Sequence, residues 1–432
     1  MHCRLWASVA ASCVWHAAVA PTSLNAQGTY PAVADTLELT LENVGVMAVA
    51  RDPALRAIRR EIAVASGDLR QARVEGLNPT LDATVFQVGR VGAEPREYSI
   101  ALSGRIPWAG QRELRIDVAT ANLGRVGALV SEAVRDATLR ARLAFLAAVA
   151  AERRLGIARE IADASARLQE ASQVRLEAGE ISELEANLTA IEHGRIRARV
   201  IAAERSALET EAALRIAVAA PPSQPLRLVT PALAASALAM LPADSLLMLA
   251  LARRPDVAAA RRAVEQAQSQ RRLAGREALP ELELRGVAAR DAGDESARLG
   301  VGVGLPLPLI DRNQGRRAAA DARLDQASDQ LARLELVVRN EVAASHQAWR
   351  SAIAEADSLQ ALVLAPAREN RPLLETAWRE GKLSLPSLLL LRNQLLDAEL
   401  DYWQAWEARG ASLVRLEAAV AIPSAIREEE NP

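Results

Sequence analysis

Residues 301–315 read VGVGLPLPLIDRNQG. Valine or leucine alternates with glycine for five residues, prolines follow at 306 and 308, and the chain then opens onto a long run of Arg, Ala and Leu. Strict alternation is the period of a strand, and the run beyond is the composition of a helix. Proline has no N–H to give a ladder, so the strand must end at Pro306 and Pro308. Asp311 or Asn313 can cap the incoming helix, where an acid also suits the helix dipole. Gly315 is expected to let the first turn pack closely. A weaker version of the same join stands earlier as SGRIPWAGQR (103–112), with Pro107 and Gly110.

That echo is one of several. AVARDPALR (48–56) returns as ALARRPDVA (250–258), and both continue as Arg-rich helical sequence to a proline, Pro79 or Pro280. EAGEIS (177–182) returns as REGKLS (379–384), and RIAVAAPP (215–222) as EAAVAIPS (417–424). Landmarks recurring in order about 200 residues apart are the mark of an internal repeat. The expected organisation is a signal segment at 1–26, a first repeat at 27–220, a linker at 221–242, a second repeat at 243–422 and a tail at 423–432. Each repeat reads helix, strand, strand, long helix, turn, helix. The strand pairs fall at about 80–107 and 281–306, the helical hairpins at 111–219 and 313–421.

The N-terminus has the form of an export signal. Arg4 precedes a mostly apolar stretch, Leu5–Ala20, too short to span a bilayer well, and LNA (24–26) offers a cleavage site. Cleavage there removes Cys3 and Cys13, leaving a mature chain without thiols; attachment of lipid at Cys13 is the weaker alternative. No later run of about 18 apolar residues follows. Half of the 432 residues are hydrophobic, yet 3% are aromatic, which suits closely spaced helices better than a thick core. The net charge of −2 gives no sign of a nucleic-acid partner.

In the strands, Ile100, Leu102 and Ile106 share one face, and Ser99, Ala101, Ser103 and Arg105 the other. Leu299, Val301, Val303 and Leu305 lie opposite Arg298, Gly300, Gly302 and Gly304. A soluble sheet would bury the apolar face against helices. A transmembrane barrel would turn it to lipid, but four strands cannot close alone, so several chains would have to pool theirs.

The stretch from Gln111 to Glu177 has no proline and would make roughly 100 Å of helix. Its counterpart carries Pro366 and Pro372, where a bend is expected. Leu324, Leu331, Val338, Ser345, Ala352 and Leu359 recur every seven residues as a packing seam. Gly179 and Gly381 fit helix-ending turns, and Ser182 and Ser384 the caps of the returning helices.

Catalytic constellations are missing. Beyond the signal the histidines are His193 and His346, each alone on a helix, and HExxH and GxSxG do not occur. The glycines of GVGVGLP (300–306) alternate along a strand and do not open a helix, so they do not form a phosphate-binding loop. The expectation is a non-enzyme without cofactor or resident metal.

Taken together, the join, the duplication and the export signal resemble the TolC-like outer membrane efflux proteins. LPLPLIDRNQG (305–315) is similar to the strand-to-helix join of the CzcC-type, heavy-metal (cobalt-zinc-cadmium) branch, and ARRPDVAAARRAVEQAQ (252–268) to the family's second-half start. The resemblance implies a mainly α fold with a small β part: a homotrimer whose twelve-stranded outer-membrane β-barrel continues into an α-helical periplasmic tunnel. The linker and termini would form a belt around its middle. It implies a passive duct, docked through its hairpin tips to a periplasmic adaptor and an inner-membrane RND-type pump, with heavy-metal cations as cargo. Carried onto this sequence, the tip contacts would be Arg175, Gly179, Ser182, Leu184, Arg379, Gly381, Ser384 and Leu385. The barrel-to-helix junction would be Pro107, Gly110, Pro306, Pro308, Asp311, Asn313 and Gly315. Family ducts often carry acids shortly after the tip glycine; here Glu185 follows Gly179 by six residues, whereas Ser387 holds that place after Gly381. Glu185 is therefore the aperture candidate. The competing readings are a duct for drugs, solvents or type I protein secretion and, in a different class, a periplasmic coiled-coil adaptor or scaffold.

Overall fold

A computed structural model describes residues 36–74, 78–87, 96–233, 240–290 and 296–422. The expected signal segment, most of both strand-hairpin loops and the tail at 423–432 lie outside the described residues.

The element order is β1 (Leu37–Leu39), α1 (Asn43–Arg51), α2 (Pro53–Ala72), β2 (Thr80–Gln87), β3 (Arg96–Ile106), α3 (Gln111–Glu177) and α4 (Glu183–Ala217). Then come β4 (Leu226–Leu228), α5 (Ala243–Arg253), α6 (Pro255–Arg276), β5 (Leu282–Arg290), β6 (Arg298–Gly304) and α7 (Gln314–Leu359). A π turn at Gln360–Leu364, α8 (Ala365–Arg379) and α9 (Leu385–Ala419) complete the chain. Each half opens with two helices where the sequence suggested one. The cause is the proline at 53 and at 255: the residue before proline avoids the helical region. Asp52 and Arg254 are accordingly extended, with ψ of 117° and 126°. Asp52 then caps α2, its Oδ1 accepting from the N–H of Ala54 at 2.8 Å.

Part of the expected linker, 221–242, is ordered differently from a plain connector. Its residues 226–228 form β4, which pairs in parallel with β1, Leu37 opposite Leu226 and Leu39 opposite Leu228. Such three-residue strands carry too short a pattern to be read from sequence. Leu37 and Leu39 enter a core with Val44 and Ala48 of α1, Phe145, Leu146 and Val149 of α3, and Leu214 of α4. A second core joins Leu246 and Val257 to Val338, Val342 and Trp349 of α7 and Leu413 and Leu416 of α9. The seven-residue seam is half-buried or buried throughout, but Val342, Trp349 and Ala356 form a second buried row that the seam alone did not show.

The second core contains a buried arginine. Arg254 is 3% exposed. Its Nε and Nη2 donate to Asp256 at 3.0 and 2.7 Å, and its Nη1 donates to Glu341 at 2.8 Å and to the carbonyl of Ala419 at 3.2 Å. Arg135 of α3 donates to the neighbouring carbonyl of Ala418. Arg254 thus satisfies the Ala419 carbonyl that the end of α9 leaves without a helical partner, and Arg135 adds a second donor to the Ala418 carbonyl, which also accepts from the N–H of Ala421 at 3.0 Å. Burial pushes the Asp256 carboxyl up, but the hydrogen bonds and charge of Arg254 more than offset this and hold it below the usual carboxylate range.

α3 runs unbroken for 67 residues, roughly 100 Å. Its counterpart is longer than a single helix: α7, the π turn and α8 follow one another directly, so the chain takes up Pro366 in the turn after a widened π segment. Widening suits the proline, which has no N–H and crowds the carbonyl four residues back. Pro372 lies inside α8.

Candidate functional site: the sheet, its junctions and the hairpin tips

The strands form one antiparallel sheet in the order β2-β3-β5-β6. Register puts Leu81 opposite Leu102, Ile100 opposite Ala288, and Val301 opposite Gly286. One face therefore carries Leu81, Val85, Ile100, Leu102, Ile106, Leu299, Val301 and Val303. That apolar face is the open one: Leu299 is 83% and Val301 89% exposed, and Ile100 and Leu102 exceed half. On the other face Asp82, Ser99, Ser103 and Arg285 stand among glycines and alanines, together with Phe86 and Val287; Ala101 is 2% exposed, and Arg105 faces Glu283 at 3.8 Å. Among the described residues no helix covers the apolar side.

The two strand-to-helix junctions share one geometry. Gly110 (φ 75°) and Asn313 (φ 59°) both take a left-handed backbone immediately before the long helix. The next residue is glutamine in each. Gln111 Oε1 accepts from the N–H of Ala109 at 2.9 Å, and Gln314 Oε1 accepts from the N–H of Arg312 at 2.8 Å. Asn313 stands at the cap position but its side chain does not cap α7. Its Nδ2 instead donates to the carbonyl of Ala274 at 2.8 Å, while Asp311 Oδ1 accepts from the N–H of Asn313. The expected cap by Asp311 or Asn313 is thus replaced by a glutamine hook and a tie to α6. Nor does Gly315 mediate a close approach within the chain: a Cβ built there meets nothing within 4 Å. Pro107 follows the last residue of β3, and β6 ends at Gly304, before Pro306 and Pro308. The hooks were missed in sequence, although GQ at 110–111 and NQ at 313–314 stand at matching places.

The first junction is also bound to the second half. Gln111 is 2% exposed, and its Nε2 donates to the carbonyls of Arg276 and Leu279 at 3.4 and 3.3 Å. Trp108 Nε1 donates to the carbonyl of Pro280 at 2.9 Å.

At the far ends of the long helices, Gly179 (φ 74°) and Gly381 (φ 70°) make the turns. Both occupy the left-handed region that side chains disfavour. Ser182 caps α4 in a reciprocal box. Its hydroxyl accepts from the N–H of Glu185, and the Glu185 carboxylate accepts from the Ser182 N–H and Oγ at 2.9 and 3.0 Å. The backbone bond from Ser182, then its hydroxyl, hold the Glu185 carboxyl below its usual range. Ser384 caps α9 more loosely, accepting from the N–H of Ser387 at 3.4 Å.

The two tips meet. Arg175 pairs with Glu180 at 3.0 Å and lies over the ring of Trp378 at 5.8 Å. Leu168, Leu374, Leu385 and Leu388 form a small core there. Leu385 is consequently 5% exposed, which removes it from the residues a partner could touch at the tip. Leu184 is 69% exposed, and Arg175, Gly179, Ser182, Arg379, Gly381 and Ser384 are exposed.

Residues 246–421 match the outer membrane efflux protein family. That segment belongs to it. The whole chain resembles the family and its CzcC branch: the cobalt-zinc-cadmium resistance protein CzcC of Cupriavidus metallidurans is 28% identical over 374 residues, covering 84% of this chain and 85% of that protein. The Campylobacter jejuni CmeC outer membrane channel superposes with a TM-score of 0.75 at 15% identity, over 88% of this chain and 85% of the other. The Vibrio cholerae outer membrane protein VceC gives 0.70 at 17% identity, over 88% and 95%. At such identities the two structures share the fold of this chain, and the likeness is one of fold alone.

Proposed function

We propose that this protein is the outer-membrane duct of a tripartite efflux system and passively conducts heavy-metal cations out of the cell. Three copies, each giving four strands, would close a twelve-stranded barrel in the outer membrane. Their long helices would continue it as a periplasmic tunnel. The repeats at 27–220 and 243–422 would build its wall, and β1, β4 and the linker a belt around its middle. A periplasmic adaptor would meet the tips at Arg175, Gly179, Ser182, Leu184, Arg379, Gly381 and Ser384. An inner-membrane RND-type pump would supply the energy, and Glu185 would line the aperture.

The observation that carries the reading is the uncovered apolar face of the sheet, from Leu81 to Val303, opposite a face made mostly of small and polar residues, with Phe86 and Val287 the large apolar ones on it. Lipid covers such a face and water such a lumen. The four-stranded sheet leaves β2 and β6 as edges, which lipid does not tolerate, so the strands must be completed by other copies. The cargo rests on the likeness to CzcC. Fractionation should place the protein in outer membranes as a heat-dissociable trimer, and a soluble monomer would refute the duct. A deletion strain should become sensitive to cobalt, zinc or cadmium, and unaltered tolerance of all three would remove the metal assignment.

A further inference from the structure

The two joins between sheet and long helix are unequal. The first takes residues 107–110 and the second residues 305–313. The added length holds a run of exposed aliphatic side chains, Leu305, Leu307, Leu309 and Ile310, the last 91% exposed. The backbone fixes their posture. Pro306 and Pro308 each lock one dihedral angle, and the N–H of Leu309 donates to the carbonyl of Leu307 at 2.9 Å, closing a tight turn across Pro308. The run continues the apolar face of the sheet, where Leu299, Val301 and Val303 precede Leu305, and so lies at the end of that face nearest the helices. Trp108 stands at the same level on the first join, largely exposed, with its Nε1 on the carbonyl of Pro280. An indole with one apolar and one polar side collects where the hydrocarbon of a bilayer gives way to headgroups.

Pro280, Leu307, Leu309 and Ile310 line an open cleft of about 540 Å³, and Arg316 enters its wall from the first turn of α7. Arg312 and Arg317 flank it in sequence and are exposed. Among the described residues, no carboxylate pairs with any of these three arginines. The acids on the cleft are Glu277 and Asp311, and Asp311 already accepts from the N–H of Asn313. The first join differs. There Arg112 donates to the carbonyl of Arg73, Arg115 pairs with Glu281 at 3.4 Å, and Glu113 stands in the first turn of α3. Guanidinium groups are occupied within the chain at one join and left open at the other.

We propose that the second join is a phospholipid site. The phosphate of an anionic phospholipid in the periplasm-facing leaflet sits among Arg312, Arg316 and Arg317, and its acyl chains lie along Leu305, Leu307, Leu309 and Ile310. The inference rests on the reading of the sheet as membrane-inserted, and adds a bound lipid to it. Guanidinium is the group best matched to phosphate, whose oxygens accept its N–H groups in pairs. Three arginines against Glu277 and Asp311 leave the cleft net positive, which favours an anionic headgroup over a zwitterionic one. A free anion would use the arginines and not the leucines; a lipid uses both.

The test is lipid retention by the full-length protein, purified from membranes in a nonionic detergent. Phosphatidylglycerol, phosphatidylcholine or inorganic phosphate is added, and binding is read by native mass spectrometry and by melting temperature. Phosphatidylglycerol should be retained several-fold better than phosphatidylcholine and should raise the melting temperature, which inorganic phosphate should not. Arg312→Gln/Arg316→Gln/Arg317→Gln should weaken phosphatidylglycerol binding about tenfold or more. Arg333→Gln/Arg339→Gln/Arg350→Gln removes as much charge from exposed positions farther along α7 and should leave binding unchanged. Leu309→Asn/Ile310→Asn keeps the arginines and should still lower retention several-fold. Equal retention by wild type and the first triple variant, or equal losses in the two triple variants, overturns the site. A response to inorganic phosphate matching that to the lipid overturns the lipid assignment. A protein that stays soluble without detergent and outside membranes overturns the membrane reading instead.

Discussion

Replacing Arg254 by methionine should destabilise the protein although it lies far from the sheet and the tips. The guanidinium makes two bonds to Asp256, one to Glu341 and one to the carbonyl of Ala419. Methionine fills much of the volume and makes none of them. Removing one partner of a buried ion pair costs about 3–5 kcal/mol, because the other charge stays behind. The side chains of Asp256 and Glu341 are 19% and 40% exposed, so water repays part of the loss and the lower end, about 3 kcal/mol, applies. With an unfolding entropy of roughly 2 cal/mol/K per residue, that is a fall of about 4 °C in Tm for a chain of this length. Loss of helical circular dichroism in detergent measures it. The effect should carry a pH signature. Asp256 is held below its ordinary value, so its contribution is present above an unfolded pKa of about 3.9 and is lost as pH falls through the lower folded value. The variant and wild type should therefore converge in acid below about pH 4. Arg254→Met/Asp256→Leu, with no stranded carboxylate at 256, should recover part of the loss. A Tm within 1 °C of wild type at neutral pH, or a double variant no better than the single, would refute the account.

At the tips, Ser182→Ala should cost about 1 kcal/mol and Ser384→Ala less, because the first cap is reciprocal and the second a single long bond; hydrogen exchange at the start of α4 and α9 gives the order. Gly179→Ala meets no atom within 4 Å and should still cost about 1–2 kcal/mol through its left-handed backbone, seen as faster exchange confined to the tip. Burial raises the Glu407 carboxyl and the charge of Arg154 only partly offsets it. The folded state thus holds that proton more tightly, and stability is lost as pH rises from about 4.3 through the raised value. Glu407→Gln should match or exceed wild type at pH 7 and flatten the fall of Tm across that window. Glu185→Gln preserves the capping box, which accepts glutamine, and removes the charge; weaker cation preference in single-channel recordings is expected, and an unchanged preference dismisses Glu185 from the aperture.

Long elements were legible because each repeats its own period many times. α3 begins at Gln111 and ends at Glu177, the limits set by the Pro107–Gly110 join and Gly179. The strand faces were legible because alternation survives even where the strands are bare. Short or long-range features were not. β1 and β4 hold three residues each, and their partner lies almost 200 positions away. Arg254 reads as one more arginine in ALARRPDVA; its burial depends on Glu341 and Ala419, which only the folded chain brings near. Asn313 looked like a cap by residue type, but its left-handed backbone turns the side chain to Ala274. Leu385 looked like a tip contact by position, yet the leucines around it were sufficient to bury it.

The tips divide two tasks between hairpins that the sequence writes alike. Ser182 and Ser384 both cap, but the residue three places on is Glu185 in one and Ser387 in the other. Around the turns, Arg175 pairs with Glu180 and Lys382 with Glu380, so those charges are locally balanced. α4 begins with Glu183 and Glu185, whereas α9 begins with Leu385 and has no acid in its first turn. The second hairpin spends its first turn on packing: Leu385 and Leu388 bind it to Leu168 of α3, and Trp378 lies beneath Arg175. One tip is therefore the anchor and the other bears the unbalanced negative charge. An acid at both tips would have placed a carboxylate beside that leucine cluster, where desolvation would favour its neutral form. The single acid per chain at the proposed aperture follows from the packing that holds the two hairpins together.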